Sequence, residues 1–146
     1  MRRFSPPPLP RVQYTRRPGA YGVILDGRGR MLIALNESPG EEFALPGGGV
    51  DPGESPLQAL HREAMEETGW RIHPLRRAGA FRRFTYMPEY DLWAEKICHI
   101  YLCRAGRRIA DPVEPDHRPV WLDAEFAVAA LSIEGDRALA RLALGL

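Results

Sequence analysis

Three glutamates, Glu63, Glu66 and Glu67, stand at i, i+3 and i+4. On a helix turning about 100° per residue they share one face. Like charges at that spacing repel, and nothing basic lies within the arc; Arg62 stands on its edge. Upstream lies a glycine-rich turn of Pro46, Gly47, Gly48 and Gly49. A chain that gathers three carboxylates beside such a turn is suited to gathering a cation. Oxygen ligands favour Mg²⁺ or Mn²⁺ over zinc, and no Cys or His at zinc spacing competes. The plainer alternative is a solvated acidic face, and Glu-x-x-Glu-Glu alone would favour it.

The acids do not stand alone. Gly48 is followed by Glu54, Arg62, Glu63, Ala64, Glu66, Glu67, Gly69 and Trp70 at fixed gaps. This pattern resembles the Nudix box: Gly, five residues, Glu, seven residues, Arg-Glu, an apolar residue, one residue, Glu-Glu, one residue, Gly, and an apolar residue. Starting from Gly49 would put Ser55 at the first glutamate, so Gly48 sets the register. Ala64 is small and Trp70 large for the two apolar positions. The match spans 23 of the 146 residues.

The resemblance implies a Nudix-type α/β/α sandwich with a mixed sheet. It also implies hydrolysis of a diphosphate joined to a nucleoside or other organic group. Glu63, Glu66 and Glu67 would be the metal ligands, with Mg²⁺ or Mn²⁺ as cofactor, and Glu63 would also orient or deprotonate water. The Gly47 carbonyl is an extra ligand candidate. Arg62 would pair with Glu54 to hold the loop against the helix. Gly48 would let the backbone approach phosphates closely. A further acid is expected from a late loop: Glu114 first, Asp116 second, with Glu95 as a third candidate; Asp111 and His117 lie in the same loop. Tyr86, 16 residues after Trp70, is the nearest match to a family marker for dinucleoside polyphosphates. The expected substrate is therefore a nucleoside triphosphate or dinucleoside polyphosphate. A non-catalytic nucleotide-binding domain and an RNA 5′-end pyrophosphohydrolase are the alternatives.

The elements that must position these groups follow from periodicity. Two apolar runs, 21–25 and 30–36, flank Asp26-Gly27-Arg28-Gly29 and read as a β-hairpin. A short strand at 43–45 leads into the glycine turn. The helix starts at Ser55, with Pro56 in first position and Gln58 completing a capping box. Leu57, Leu60, Ala64 and Thr68 form its expected buried stripe, and Gly69 ends it. One or two strands are expected within 71–86, a loop at 87–92, and a long strand at 93–104. That strand shows Ile97, His99, Tyr101 and Cys103 on one face and Cys98, Ile100 and Leu102 on the other. A loop follows at 105–118, then a strand at 120–122. Asp123 and Asp136 read as N-caps of helices near 124–131 and 137–144.

Hydrophobic residues make up 45% and charged residues 27%, an ordinary globular composition for one domain. No apolar run approaches the ~18 residues that cross a bilayer, and the N-terminus does not read as a secretory signal. Cys98 and Cys103 fall on opposite strand faces and cannot bridge there, so free thiols and a cytoplasmic location are expected. Residues 1–18 read as a Pro-rich, mobile basic arm and 19–146 as the single domain. Residues 1–20 carry five arginines and no acid. The arm keeps nucleic acid open as a partner, though a small nucleotide is preferred; no membrane is expected, and a homodimer is left open. Phe43, Phe84, Tyr86, Tyr90 and Trp93 are candidates for base stacking, and Arg82 and Arg83 for phosphate contact. Glu95 would otherwise pair with the single lysine, Lys96, or with an arginine.

Overall fold

The computed structural model describes residues 1–37, 40–113 and 115–146. Its strands are β1 (Arg2–Arg3), β2 (Thr15–Leu25), β3 (Arg30–Asn36), β4 (Glu42–Ala44), β5 (Gly47–Gly49), β6 (Trp70–Met87), β7 (Leu92–Arg108) and β8 (His117–Asp123). The helices are α1 (Pro56–Thr68), α2 (Ala124–Ala130) and α3 (Glu134–Leu144). The strands form one mixed sheet in the order β1-β6-β7-β2-β3-β4, with β5 joined to β2 and β8 to β3. β2 and β7 run parallel at its centre, and the other pairings except β1–β6 are antiparallel.

Alternation along the central strands gives the sheet two apolar faces, and each is covered by helix. Ala20, Ile24, Leu32, Ile72 and Cys103 face α1, where Leu60 and Ala64 meet them. Val23, Ile33, Phe81, Cys98 and Ile100 face α2 and α3, where Val128, Leu139 and Ala140 meet them. This is the expected α/β/α sandwich. The two thiols sit in separate cores, both buried and free. Burial pushes each up to about 12.

Several expectations change. The glycine turn is not purely a turn: residues 47–49 form β5 and pair with Tyr21, Ala20 and Gly19. On α1, Leu57 is exposed and Ala59 takes its place in the core. The segment 71–86 is one long strand whose pairing slips at three places, and β7 runs on to Arg108. Asp136 does not cap α3; it lies inside the first turn and is buried.

The N-terminal segment is also not a free arm. Arg2 and Arg3 pair with Phe81 and Arg82. Phe4 meets Phe81 edge-on at 5.6 Å, and the Phe84 amide donates to Ser5 Oγ at 3.0 Å. Tyr14 packs on Phe84 and Trp93. Residues 15–18 already belong to β2, so a boundary at residue 18 would cut a central strand. Apolar side chains at Phe4 and Tyr14 outweigh the mobility expected from the prolines.

Candidate active site

Capping holds α1 in place. The Gln58 amide donates to Ser55 Oγ at 3.1 Å, and the Ser55 amide donates to Gln58 Oε1 at 2.8 Å. At the far end Gly69 adopts the left-handed conformation, φ 75°, and its N–H donates to Met65 O.

The helix faces β5 with its acids. The Gly47 amide donates to Glu67 Oε1 at 2.8 Å. A Cβ on Gly48 would meet the Glu63 carboxyl at 2.5–2.8 Å, so a side chain there would push the acid away. A Cβ on Gly47 would strike the Ala20 carbonyl at 2.1 Å, and its φ of 148° disfavours other residues.

Arg62 ties the loop to the helix. Nε and Nη2 donate to Glu54 Oε2 and Oε1 at 2.8 and 2.9 Å, a two-pronged pair. Nη1 donates to Glu63 Oε1 at 2.9 Å, and Nη2 also reaches the Gly49 carbonyl at 3.0 Å. Glu66 Oε2 stands 3.5 Å from Nη1. Glu54 Oε1 also accepts from the Asp51 amide at 2.9 Å. The hydrogen bonds from Arg62, foremost, lower the Glu54 carboxyl to about 2.

Two cavities of about 150 Å³ each adjoin these acids. One lies toward α3, lined by Gly47, Glu67, Phe81, Arg83 and Asp136 with others. The other is lined by Arg17, Gly49, Glu63, Met87 and Tyr90 with others. Tyr21 and Lys96 line both. Arg17 lies over the Tyr90 ring, 4.6 Å from its centroid.

The donor set suits a hard divalent cation: three carboxylates from one helix face with backbone groups of β5 alongside. Among the described residues, no three acidic or imidazole groups converge as they stand closely enough to enclose an ion. Arg62 Nη1 engages Glu63 and stands 3.5 Å from Glu66, while the Gly47 amide engages Glu67.

The structure brings together Glu54, Arg62, Glu63, Glu66, Glu67, Gly47 and Gly48. It separates others. Tyr86 donates to Asp91 and packs on Trp93 at 5.2 Å, and it lines neither cavity. The hairpin tip offers Tyr90 and Met87 instead. Glu95 pairs with Arg16 at 3.0 Å, the arginine alternative to Lys96. Asp116 is exposed and Asp111 pairs with Arg108. Glu114 lies outside the described residues. From the same loop region, described residue His117 reaches the acids, with Nε2 3.4 Å from Glu67 Oε2. His99 is half-buried beside Arg77, on the α1 side of the sheet.

Sequence reasoning missed Lys96 and Asp136 as cavity residues, although a signal existed. Lys96 continues the apolar row of Cys98 and Ile100 at period two. Asp136 continues the row of Leu139, Ala140 and Ala143 at helical spacing.

The NUDIX domain model matches residues 15–142. The chain belongs to the Nudix family. A putative 8-oxo-dGTP diphosphatase of Bacillus subtilis is 31% identical over 96 residues, covering 66% of this chain and 60% of the relative. An RNA pyrophosphohydrolase of Mesorhizobium japonicum is 43% identical over 63 residues, covering 38% of this chain and 36% of the relative. This Nudix chain thus matches between about a third and three fifths of those relatives' lengths. A solved Nudix hydrolase from Nitrosomonas europaea shares the fold, with a TM-score of 0.70, 16% identity and 90% coverage of each chain. The Nudix family generally uses divalent metal ions. No helix among the described residues is long and apolar enough to cross a membrane.

Proposed function

We propose that this chain is a metal-dependent hydrolase cleaving a P–O–P linkage in a nucleoside triphosphate. The observation that carries the reading is the cavity that shares Gly47 and Glu67 with the acidic face. A substrate's diphosphate can lie on the carboxylates while its organic group enters beside them. The diphosphatase and pyrophosphohydrolase names of the two relatives support the same bond class.

Glu63, Glu66 and Glu67 would hold the cation, with the Gly47 carbonyl as an added oxygen donor. A divalent cation there supplies charge neutralisation for the diphosphate and lowers the pKa of an attacking water. Glu63 lines the second cavity and accepts the proton of that water. Its contact with Arg62 and the Gly48 backbone holds the carboxyl in one orientation. Water oxygen bonds to one phosphorus, the bridging P–O bond breaks, and the bridging oxygen leaves with its electron pair. Arg62 and Glu54 act through position, keeping the loop against α1 while like charges crowd the helix. The buried thiols fit a reducing, cytoplasmic setting.

The dinucleoside polyphosphate reading drew on Tyr86, which lines neither of these two cavities. The RNA 5′-end reading retains the relative's name but loses the mobile arm.

The test is hydrolysis in ¹⁸O-labelled water with Mg²⁺ or Mn²⁺, comparing nucleoside triphosphates, a 5′-triphosphate oligoribonucleotide and a nucleoside monophosphate. Label should appear on a phosphate product, with the triphosphates cleaved fastest and the monophosphate inert. Label on a sugar hydroxyl, or efficient monophosphate hydrolysis, would overturn the mechanism. Faster cleavage of the oligoribonucleotide would transfer the reading to RNA ends.

A further inference from the structure

Away from the acidic site, a groove of about 510 Å³ lies open between α3 and the outer strand β6. Small residues make the hollow: Gly79 and Ala80 of β6 and Ala138 of α3. Leu142 and Leu146 flank it and are 64% and 44% exposed. Arg2 also lines the groove, with its guanidinium 4.6 Å from the centroid of the Phe4 ring. Single exposed leucines are ordinary on a protein surface. Here two of them border a hollow, and the helix beside them carries an ordered set of charges.

Glu134, Ala138 and Arg141 stand at i, i+4 and i+7 on α3, within about 60° of one another around the helix. Leu139, Ala140 and Ala143 turn the opposite side of α3 into the core, so this face looks outward. Glu134 and Arg141 are exposed, and among the described residues neither forms an ion pair. Glu125 of α2 lines a shallow hollow with Arg141 and makes no ion pair with it either. The face therefore reads acid, small residue, base along the helix. Turned end for end, it reads base, small residue, acid, so the face is complementary to itself.

We propose that α3 and its groove form an isologous interface between two copies of this chain. The two α3 helices run antiparallel and cross at Ala138, where a small side chain lets the axes come within the usual 8–10 Å, roughly. Glu134 of each copy then faces Arg141 of the other. Leu142 of each copy lies over the other's groove. Apolar contact supplies the attraction, and the two charge pairs fix direction and register. The helix that carries the acids, α1, packs on the other face of the sheet, so the inference stands apart from the proposed hydrolysis.

Sedimentation velocity of the full chain between about 1 µM and 1 mM tests it. The mass should rise with concentration from the 16.4 kDa of one chain toward twice that value. Glu134→Arg sets like charges against each other and should weaken association at least about tenfold, and Arg141→Glu should do the same. The double variant exchanges both partners, restores each pair and should return to within about threefold of wild type. Leu142→Asp should abolish association, because it places a carboxylate in an apolar groove. Circular dichroism checks the fold of each variant; should one charge variant fail to fold, the other and Leu142→Asp decide. A chain that keeps the mass of one copy at about 1 mM would overturn the proposal and leave the groove to a different partner. So would a Glu134→Arg dimer of unchanged strength, or a double variant as weak as the single ones.

Discussion

Asp136 offers a test of the structure that needs no ligand. Burial in the first turn of α3 raises its carboxyl from 3.8 to about 7. Arg83 of β6, Lys96 of β7 and Arg137 of α3 pull it down, Glu42 of β4 pushes it up, and burial prevails. In the unfolded chain the group ionises near 3.8; in the folded protein it keeps its proton until about 7. Between those values the folded state binds more protons, so stability falls as pH rises and the loss is complete above about 7. The window spans roughly three pH units at 1.36 kcal/mol each, on the order of 4 kcal/mol in all. About 3 kcal/mol of that is lost between pH 5 and pH 8. Asp136→Asn removes the ionisation while keeping the size. Its melting temperature, relative to wild type, should therefore be higher at pH 8 than at pH 5 by about 10 °C. Thermal unfolding of both proteins at the two pH values is the assay. An equal difference at both would show that Asp136 ionises freely in the fold and is not buried as described.

The acidic face gives the remaining predictions. Glu67→Gln keeps the Gly47 hydrogen bond but removes a negative ligand, so the rate should fall about a hundredfold or more while the fold survives. Retention of more than about a tenth of wild-type activity at saturating Mg²⁺ would contradict Glu67 as a metal ligand. Arg62→Ala should lower both melting temperature and activity, because it removes the hydrogen bonds to Glu54, the Gly49 carbonyl and Glu63 together. Glu63→Gln should cut activity with little change in melting temperature. An Arg62→Ala protein that is stable and fully active would refute the clamp.

What the sequence by itself determined was local or periodic. The capping box of Ser55 and Gln58, the stop at Gly69 and the shared face of Glu63, Glu66 and Glu67 follow from spacings within one helix. The opposite faces of Cys98 and Cys103 follow from strand alternation, and the Arg62–Glu54 pair from the Nudix box. Tertiary structure decided whatever depended on which element covers a face. Alternation placed Lys96 beside Cys98 but did not reveal that α3 would close over that row and leave a cavity at its end. A polar residue near a helix start looks like a cap, so Asp136 became legible only once α3 packed its first turn inward on Phe81. There a Cβ on Gly135 would meet the Phe81 ring at 2.3–2.6 Å, so only glycine allows the approach. Likewise, the prolines and arginines near the N-terminus predict a mobile arm. Contacts of Phe4 with Phe81, and of Tyr14 with Phe84 and Trp93, place it on the sheet instead. His117 reaches Glu67 only because β8 pairs with β3, a long-range register that no local pattern encodes.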